Sequence, residues 1–170
     1  MLKHSTTTQD LNNISTQQGF TLIELMITVA IASLLLTMAV PSFNTMTKNN
    51  RLTSNVNQLV AALNLARSEA ITRRATIDVV ATDSTNAANE WGQGWSVGVN
   101  GGATLRIFEA LKGGTTLDSS GGIGTVQYLS NGRASVADVF TLCDDRTGET
   151  GRQITILVTG RLSVEQTVCS

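Results

Sequence analysis

Histidine is nearly absent from this chain: His4 is the only one in 170 residues, and it stands at the very start. A folded domain further along therefore lacks the usual general base and the commonest metal ligand. Aromatic residues make up 4% of the chain, which argues against a large aromatic binding face. Charge is thin, at 15% with a net of −1, so no strong field gathers an oppositely charged partner. Glycine is missing between Phe20 and Trp91, where Pro41 is the one proline, whereas 14 of the 15 glycines lie from Gly92 onward. That division predicts a helix-rich half followed by a half of strands and turns.

Catalytic signatures are also lacking. Ser68 with Glu69, or Asp144 with Asp145, has no nucleophile elbow, metal triad or phosphate-binding glycine loop beside it. Asp144-Asp145 ahead of Thr147-Gly148 reads as a turn, and neither Gly113-Gly114 nor Gly121-Gly122 lies between a strand and a helix. Trp91 and Trp95 around Gly92 and Gly94 read as packing residues bordering a turn, against a ligand-stacking alternative. No enzyme activity, metal or cofactor is expected.

What the chain does contain is a 21-residue apolar run, Phe20 to Val40, whose single charge is Glu24. As a helix it spans about 30 Å, the hydrocarbon thickness of a bilayer. A carboxylate at the bilayer centre costs about 2.5–3.5 kcal/mol, so Glu24 calls for a partner. The competing reading is a secretory signal with a small-x-small site at Ala30-Ile31-Ala32. Against it stand Asp10 and a long polar stretch ahead of the run, the continuation of the run for eight residues past Ala32, and Glu24 itself.

After Pro41, which bends a helix as readily as it ends one, Leu52, Val56, Leu59, Val60, Leu63, Ala66 and Ala70 recur at helical spacing. Asn49, Asn50, Ser54, Asn57 and Gln58 lie between them, so the helix is predicted from about Phe20 to about Arg74. Short β-branched runs follow at 76–81, 94–99, 104–111, 125–129, 139–143, 153–159 and 161–164, punctuated by glycine turns, with a tight hairpin at Thr159-Gly160. The fold class is α+β: a long N-terminal helix whose amphipathic half packs on a small antiparallel β-sandwich. In an oxidising compartment Cys143 and Cys169 can pair, which would stabilise the fold by about 3–4 kcal/mol; metal-binding or redox thiols are the alternative, without CxxC spacing to support it.

Gln18-Gly19 followed by Phe20-Thr21-Leu22-Ile23-Glu24-Leu25 and an apolar run broken by Pro41 resembles the type III signal of type IV pilins and type II secretion pseudopilins. Ala66 to Ala70, Trp91 to Trp95, Gly151-Arg152 and Thr159-Gly160-Arg161 are similar to the FimT/GspH group of minor pilins and pseudopilins. The resemblance implies a pilin-like fold divided into a leader (1–19), a transmembrane and assembly helix (20–40), its amphipathic continuation (41–74) and a periplasmic β-rich domain (75–170). It further implies cleavage between Gly19 and Phe20 by prepilin peptidase, N-methylation of Phe20, and residence in the inner-membrane lipid before assembly with other pilin subunits. Glu24 and Pro41 are then the assembly residues. Staggered helices could place the Glu24 carboxylate of one subunit against the Phe20 amine of the next, a pair favoured in low dielectric; snorkelling of Glu24 to the headgroups is the alternative.

Two roles follow for the domain: a structural minor subunit that initiates or caps a filament, or a DNA receptor. DNA-binding relatives carry a C-terminal Gly-Arg-x-Arg element, which here reads Gly160-Arg161-Leu162-Ser163, without the second arginine. Arg133, Arg152 and Arg161 are the candidate phosphate contacts, with Asp144, Asp145 and Glu149 close in sequence. From Ser42 onward 11 lysines and arginines balance 11 aspartates and glutamates, which disfavours an electrostatic binder.

Overall fold

The computed structural model describes residues 19–86, 89–148 and 150–169, so the leader up to Gln18, His4 and Glu149 lie outside the described residues. The chain divides into two compact units, 1–42 and 43–170. Helix α1, Leu22–Arg73, has Pro41 inside it.

In the first unit the apolar side chains of α1 from Leu22 to Val40 are exposed all round. Its hydroxyls turn back on the helix: Thr28 Oγ1 donates to Leu25 O at 2.8 Å, Ser33 Oγ to Ala30 O at 2.8 Å and Thr37 Oγ1 to Leu34 O at 2.7 Å. Polar side chains satisfied in this way leave an outer surface that lipid can surround. The helix is long and apolar enough to cross a membrane once.

In the second unit Leu52, Val56, Leu59, Ala62, Leu63, Ala66 and Ala70 form the buried stripe of α1. Val60, expected in that stripe, is only half-buried, while Asn55 is buried in its place. The helix stops at Arg74, whose φ of 52° is left-handed, with Ala75 N donating to Ala70 O at 3.3 Å. This is the Schellman closure, with arginine where glycine is usual.

Among the described residues, eight antiparallel strands follow. β1 Ile77–Ala81, β2 Trp95–Val99, β3 Thr104–Phe108 and β5 Thr125–Tyr128 make one four-stranded sheet in the order β3-β2-β1-β5. β4 Thr116–Ser119, β6 Asp138–Cys143, β7 Thr150–Ile156 and β8 Leu162–Val168 make the other, in the order β4-β6-β7-β8. Both sheets and the helix stripe feed one core, which includes Val79, Val97, Tyr128, Phe140, Leu142 and Ile154. Trp91 and Trp95 are fully buried in it. Trp91 meets the Phe140 ring edge-on at 5.1 Å and donates through Nε1 to Ile123 O at 2.8 Å, and Trp95 stacks on Phe108 at 5.5 Å.

Strand boundaries differ from the sequence reading in two places that matter. β4 was not among the expected strands, because Thr116–Ser119 is short and polar on one side. β7 begins at Thr150 and β8 runs to Val168, so the last hairpin is longer than the apolar runs suggested.

Candidate functional site

The N-terminal motif begins with an exposed Gly19 and Phe20. Thr21 caps α1: the Glu24 backbone N–H donates to Thr21 Oγ1 at 3.2 Å, and the Leu25 N–H to Thr21 O at 3.2 Å. Thr21 and Glu24 thus stand three apart at the N-cap and N3 positions, the spacing of a capping box, with the acid in the positive first turn. The sequence reading treated Glu24 as a charge in the lipid and overlooked Thr21, although Thr-x-x-Glu before an apolar run is a helix-start signature.

At the other end of the chain, Cys143 and Cys169 are joined in a disulfide with a Cα–Cα distance of 5.8 Å. Gly151 makes room for it, since a Cβ there would collide with Cys169 Sγ and the Leu142 carbonyl. The turn after Cys143 fastens onto α1. Lys48 Nζ meets Asp145 Oδ1 at 2.6 Å, and Arg146 bridges Asp144 (Nη2 to Oδ2, 2.6 Å) and Asn49 Oδ1 (2.9 Å). The Arg146 guanidinium holds the buried Asp144 carboxyl below the usual range against the opposing effect of burial, and Lys48 does the same for Asp145.

The three candidate arginines do not form one cluster. Leu129 to Arg133 and Leu157 to Arg161 form matching turns, with Leu129 N donating to Arg133 O at 2.9 Å and Leu157 N to Arg161 O at 3.0 Å. Each has a left-handed glycine before its arginine, Gly132 at φ 75° and Gly160 at φ 77°. The turns are side by side, for a Cβ on Gly160 would run into the Gly132 carbonyl. Arg67, which the sequence reading missed, donates to Gly160 O at 3.1 Å and Thr159 O at 3.3 Å, so it anchors one turn to α1. Arg133 and Arg161 are exposed. Arg152 instead pairs across the ladder with Leu142 and Gln166, about 15 Å along β7 from the turn. The repeated Leu-x-x-Gly-Arg was the available signal for the twin turns.

A group of acids lies beside β4. Asp138 accepts from Ser119 Oγ, from Ser120 Oγ at 2.9 Å and from Gly121 N at 3.0 Å, while Glu90 accepts from Ser119 N at 3.3 Å. Burial, followed by the hydrogen bond and charge of Glu90, pushes the Asp118 carboxyl up to about 6. Among the described residues no group of three or more His, Cys, Asp or Glu is arranged to hold a metal ion. Glu69, next to Ser68, pairs with Arg73.

An exposed apolar helix with a capped start, ahead of a domain in which the same helix packs on two antiparallel sheets, defines a pilin-like, membrane-anchored protein. The prokaryotic N-terminal methylation motif matches residues 14–40, and the family described as type II transport protein GspH matches residues 55–160. The chain belongs to this GspH family of minor pilins and pseudopilins. It is similar to the type IV minor pilin FimU of Pseudomonas aeruginosa in two crystal forms, at 28% identity in each. One alignment covers 71% of this chain and 92% of FimU with a TM-score of 0.61, the other 66% and 91% with a TM-score of 0.57. No curated protein matches the chain.

Proposed function

We propose that the chain is a structural minor subunit that helps initiate or cap a type IV pilus or type II secretion pseudopilus. The observation that carries this is the coincidence of the methylation motif, residues 14–40, with a part of α1, Leu22 to Val40, whose apolar side chains are all exposed. Prepilin peptidase cleaves between Gly19 and Phe20, and Phe20 becomes the methylated terminus. The helix rests in inner-membrane lipid until assembly, with the C-terminal domain in the periplasm, a compartment in which the Cys143–Cys169 disulfide persists. In the filament the Glu24 carboxylate meets the Phe20 amine of a neighbouring subunit, and Pro41 shapes the helix between the membrane segment and the domain. A second reading, DNA binding, draws on the adjacent turns that carry Arg133 and Arg161.

Glu24→Leu tests the pairing, with Thr21→Ala as the control for the cap. Loss of the cap alone weakens the helix start by about 1 kcal/mol and leaves the charge in place. The expected result is that Glu24→Leu reaches the membrane at the normal level yet enters filaments at about a tenth of the normal yield, while Thr21→Ala enters nearly normally. Unchanged incorporation of Glu24→Leu removes the pairing. Deletion of the chain, scored in parallel for surface pili and secreted enzyme, assigns the filament type.

A further inference from the structure

Between α1 and the segment joining β3 to β4 lies a cleft of about 350 Å³, lined by Arg51, Ser54, Asn55, Gln58 and residues 109–112. Its outer wall is firmly built. Gly94 lies so close to this segment that a Cβ would strike the Phe108 carbonyl and crowd Ala110 N, and Leu111 N donates to Gly92 O at 2.9 Å. Thr115 Oγ1 donates to Lys112 O at 3.1 Å, and Gly113 and Gly114 both take left-handed φ values, 77° and 68°. The Arg51 guanidinium lies over Gly113 so closely that any side chain there would collide with Nη1.

Ser54, Asn55 and Gln58 give this cleft both donors and acceptors, and Arg51 and Lys112 add donors alone. Asn55 is 6% exposed, sits on the stripe of α1 that otherwise faces the core, and its Nδ2 is buried without an acceptor. A buried amide donor without a partner is costly, and Asn55 is among the residues that line the cleft, which is large enough to admit a ligand group. Arg51 and Lys112 supply two cations at the rim against one acid, Glu109, and none of the three belongs to an ion pair among the described residues. A donor on the floor and a positive rim select an anionic acceptor, and the planar guanidinium fork matches a carboxylate.

We propose that the cleft binds a carboxylate carried on an acidic segment of a neighbouring subunit, with the Asn55 amide donating to it from the floor and Arg51 and Lys112 flanking it. The carboxylate chemistry stands on the cleft alone; the neighbouring subunit as its source rests on the assembly reading above. Binding completes the hydrogen bonding of Asn55 and gives the domain a contact specific for an acidic partner.

The test is a titration of the full chain in detergent micelles, reading the side-chain amide resonances of selectively labelled asparagine, with the Asn55 pair assigned by its loss in Asn55→Ser. The probes are acetyl-Ala-Glu-Ala-amide, its glutamine analogue, and acetate. The glutamate peptide is expected to shift the Asn55 pair, the glutamine peptide to leave it in place, and Arg51→Gln or Lys112→Gln to weaken the response about tenfold with the remaining spectrum unchanged. No shift of Asn55, or an equal shift with the glutamine peptide, overturns the carboxylate site. Equal affinity for acetate and the glutamate peptide overturns the subunit as its source. Since no filament is needed, failure here is distinct from failure of the Glu24 pairing.

Discussion

Asp118 is a carboxyl whose burial carries a consequence for stability against pH. Asp138 takes three hydrogen bonds and Glu90 takes one, whereas Asp118 Oδ1 is buried with no donor. Burial and the nearby Glu90 carboxylate both favour the protonated form of Asp118 and raise its carboxyl to about 6. Because the folded value exceeds the unfolded one, the native state holds a proton that the unfolded chain releases between about pH 4 and pH 6, and stability falls as pH rises through that window. Asp144 and Asp145 have the opposite sign: their folded values are depressed, so their contribution is present at neutral pH and lost as pH drops below the usual carboxylate range. Thermal unfolding of the full chain in detergent should therefore show greater stability near pH 5 than near pH 7, by about 1–2 kcal/mol after allowance for the partial exposure of Asp118. Asp118→Asn should abolish the difference by raising stability at pH 7. An unchanged pH profile in the variant would remove Asp118 as the cause. None of this was visible in the sequence, where Asp118 is one acid in a glycine-rich stretch; its environment comes from β4 lying beside β6 and the Glu90 segment.

The helix was legible because a 21-residue apolar run and a stripe at three- and four-residue spacing are local patterns, and each identifies α1 without knowledge of its neighbours. The sheets were legible in class but less so at their ends. β4 presents Leu117 as its one large apolar residue, so only pairing with Leu142 and Phe140 across the ladder makes it a strand. The expected strand began only at Gln153, after Gly151, whose missing side chain in the fold gives space to the cystine. That role can be measured. Cys143→Ser with Cys169→Ser should lower stability to denaturant by about 3–4 kcal/mol, from release of a loop with a sequence separation of 26. Gly151→Val should cost a comparable amount, because strand and disulfide cannot occupy the same space. A reductant should lower the wild-type protein to the level of the double serine variant and leave that variant unchanged. If Gly151→Val retains a fully oxidised, equally stable disulfide, the steric account of Gly151 fails.

At the scale of the molecule, the balance of 11 basic and 11 acidic residues from Ser42 onward bears on both readings of function. Subunits that join a crowded filament gain from a neutral exterior with local complementary contacts, while a DNA receptor needs a positive field that reaches beyond its contacts. Folding did not gather the arginines into such a field. Arg152 lies apart on β7, Arg67 is engaged with the Thr159 and Gly160 carbonyls, and Arg146 with Asp144 and Asn49. Of the three candidate arginines, Arg133 and Arg161 stay together on adjacent turns, enough for about two phosphate contacts and a salt slope no steeper than about −2. Gel retardation of duplex DNA by the full chain in detergent should therefore appear only at low salt and vanish at physiological ionic strength, with Arg161→Gln removing most of it. A complex that persists at physiological salt, or a slope of about −4 or steeper, would require cations beyond these two turns and would move DNA binding ahead of the structural role. The arrangement of the arginines weighs the other way, since the fold spends Arg67 and Arg146 on holding turns to α1.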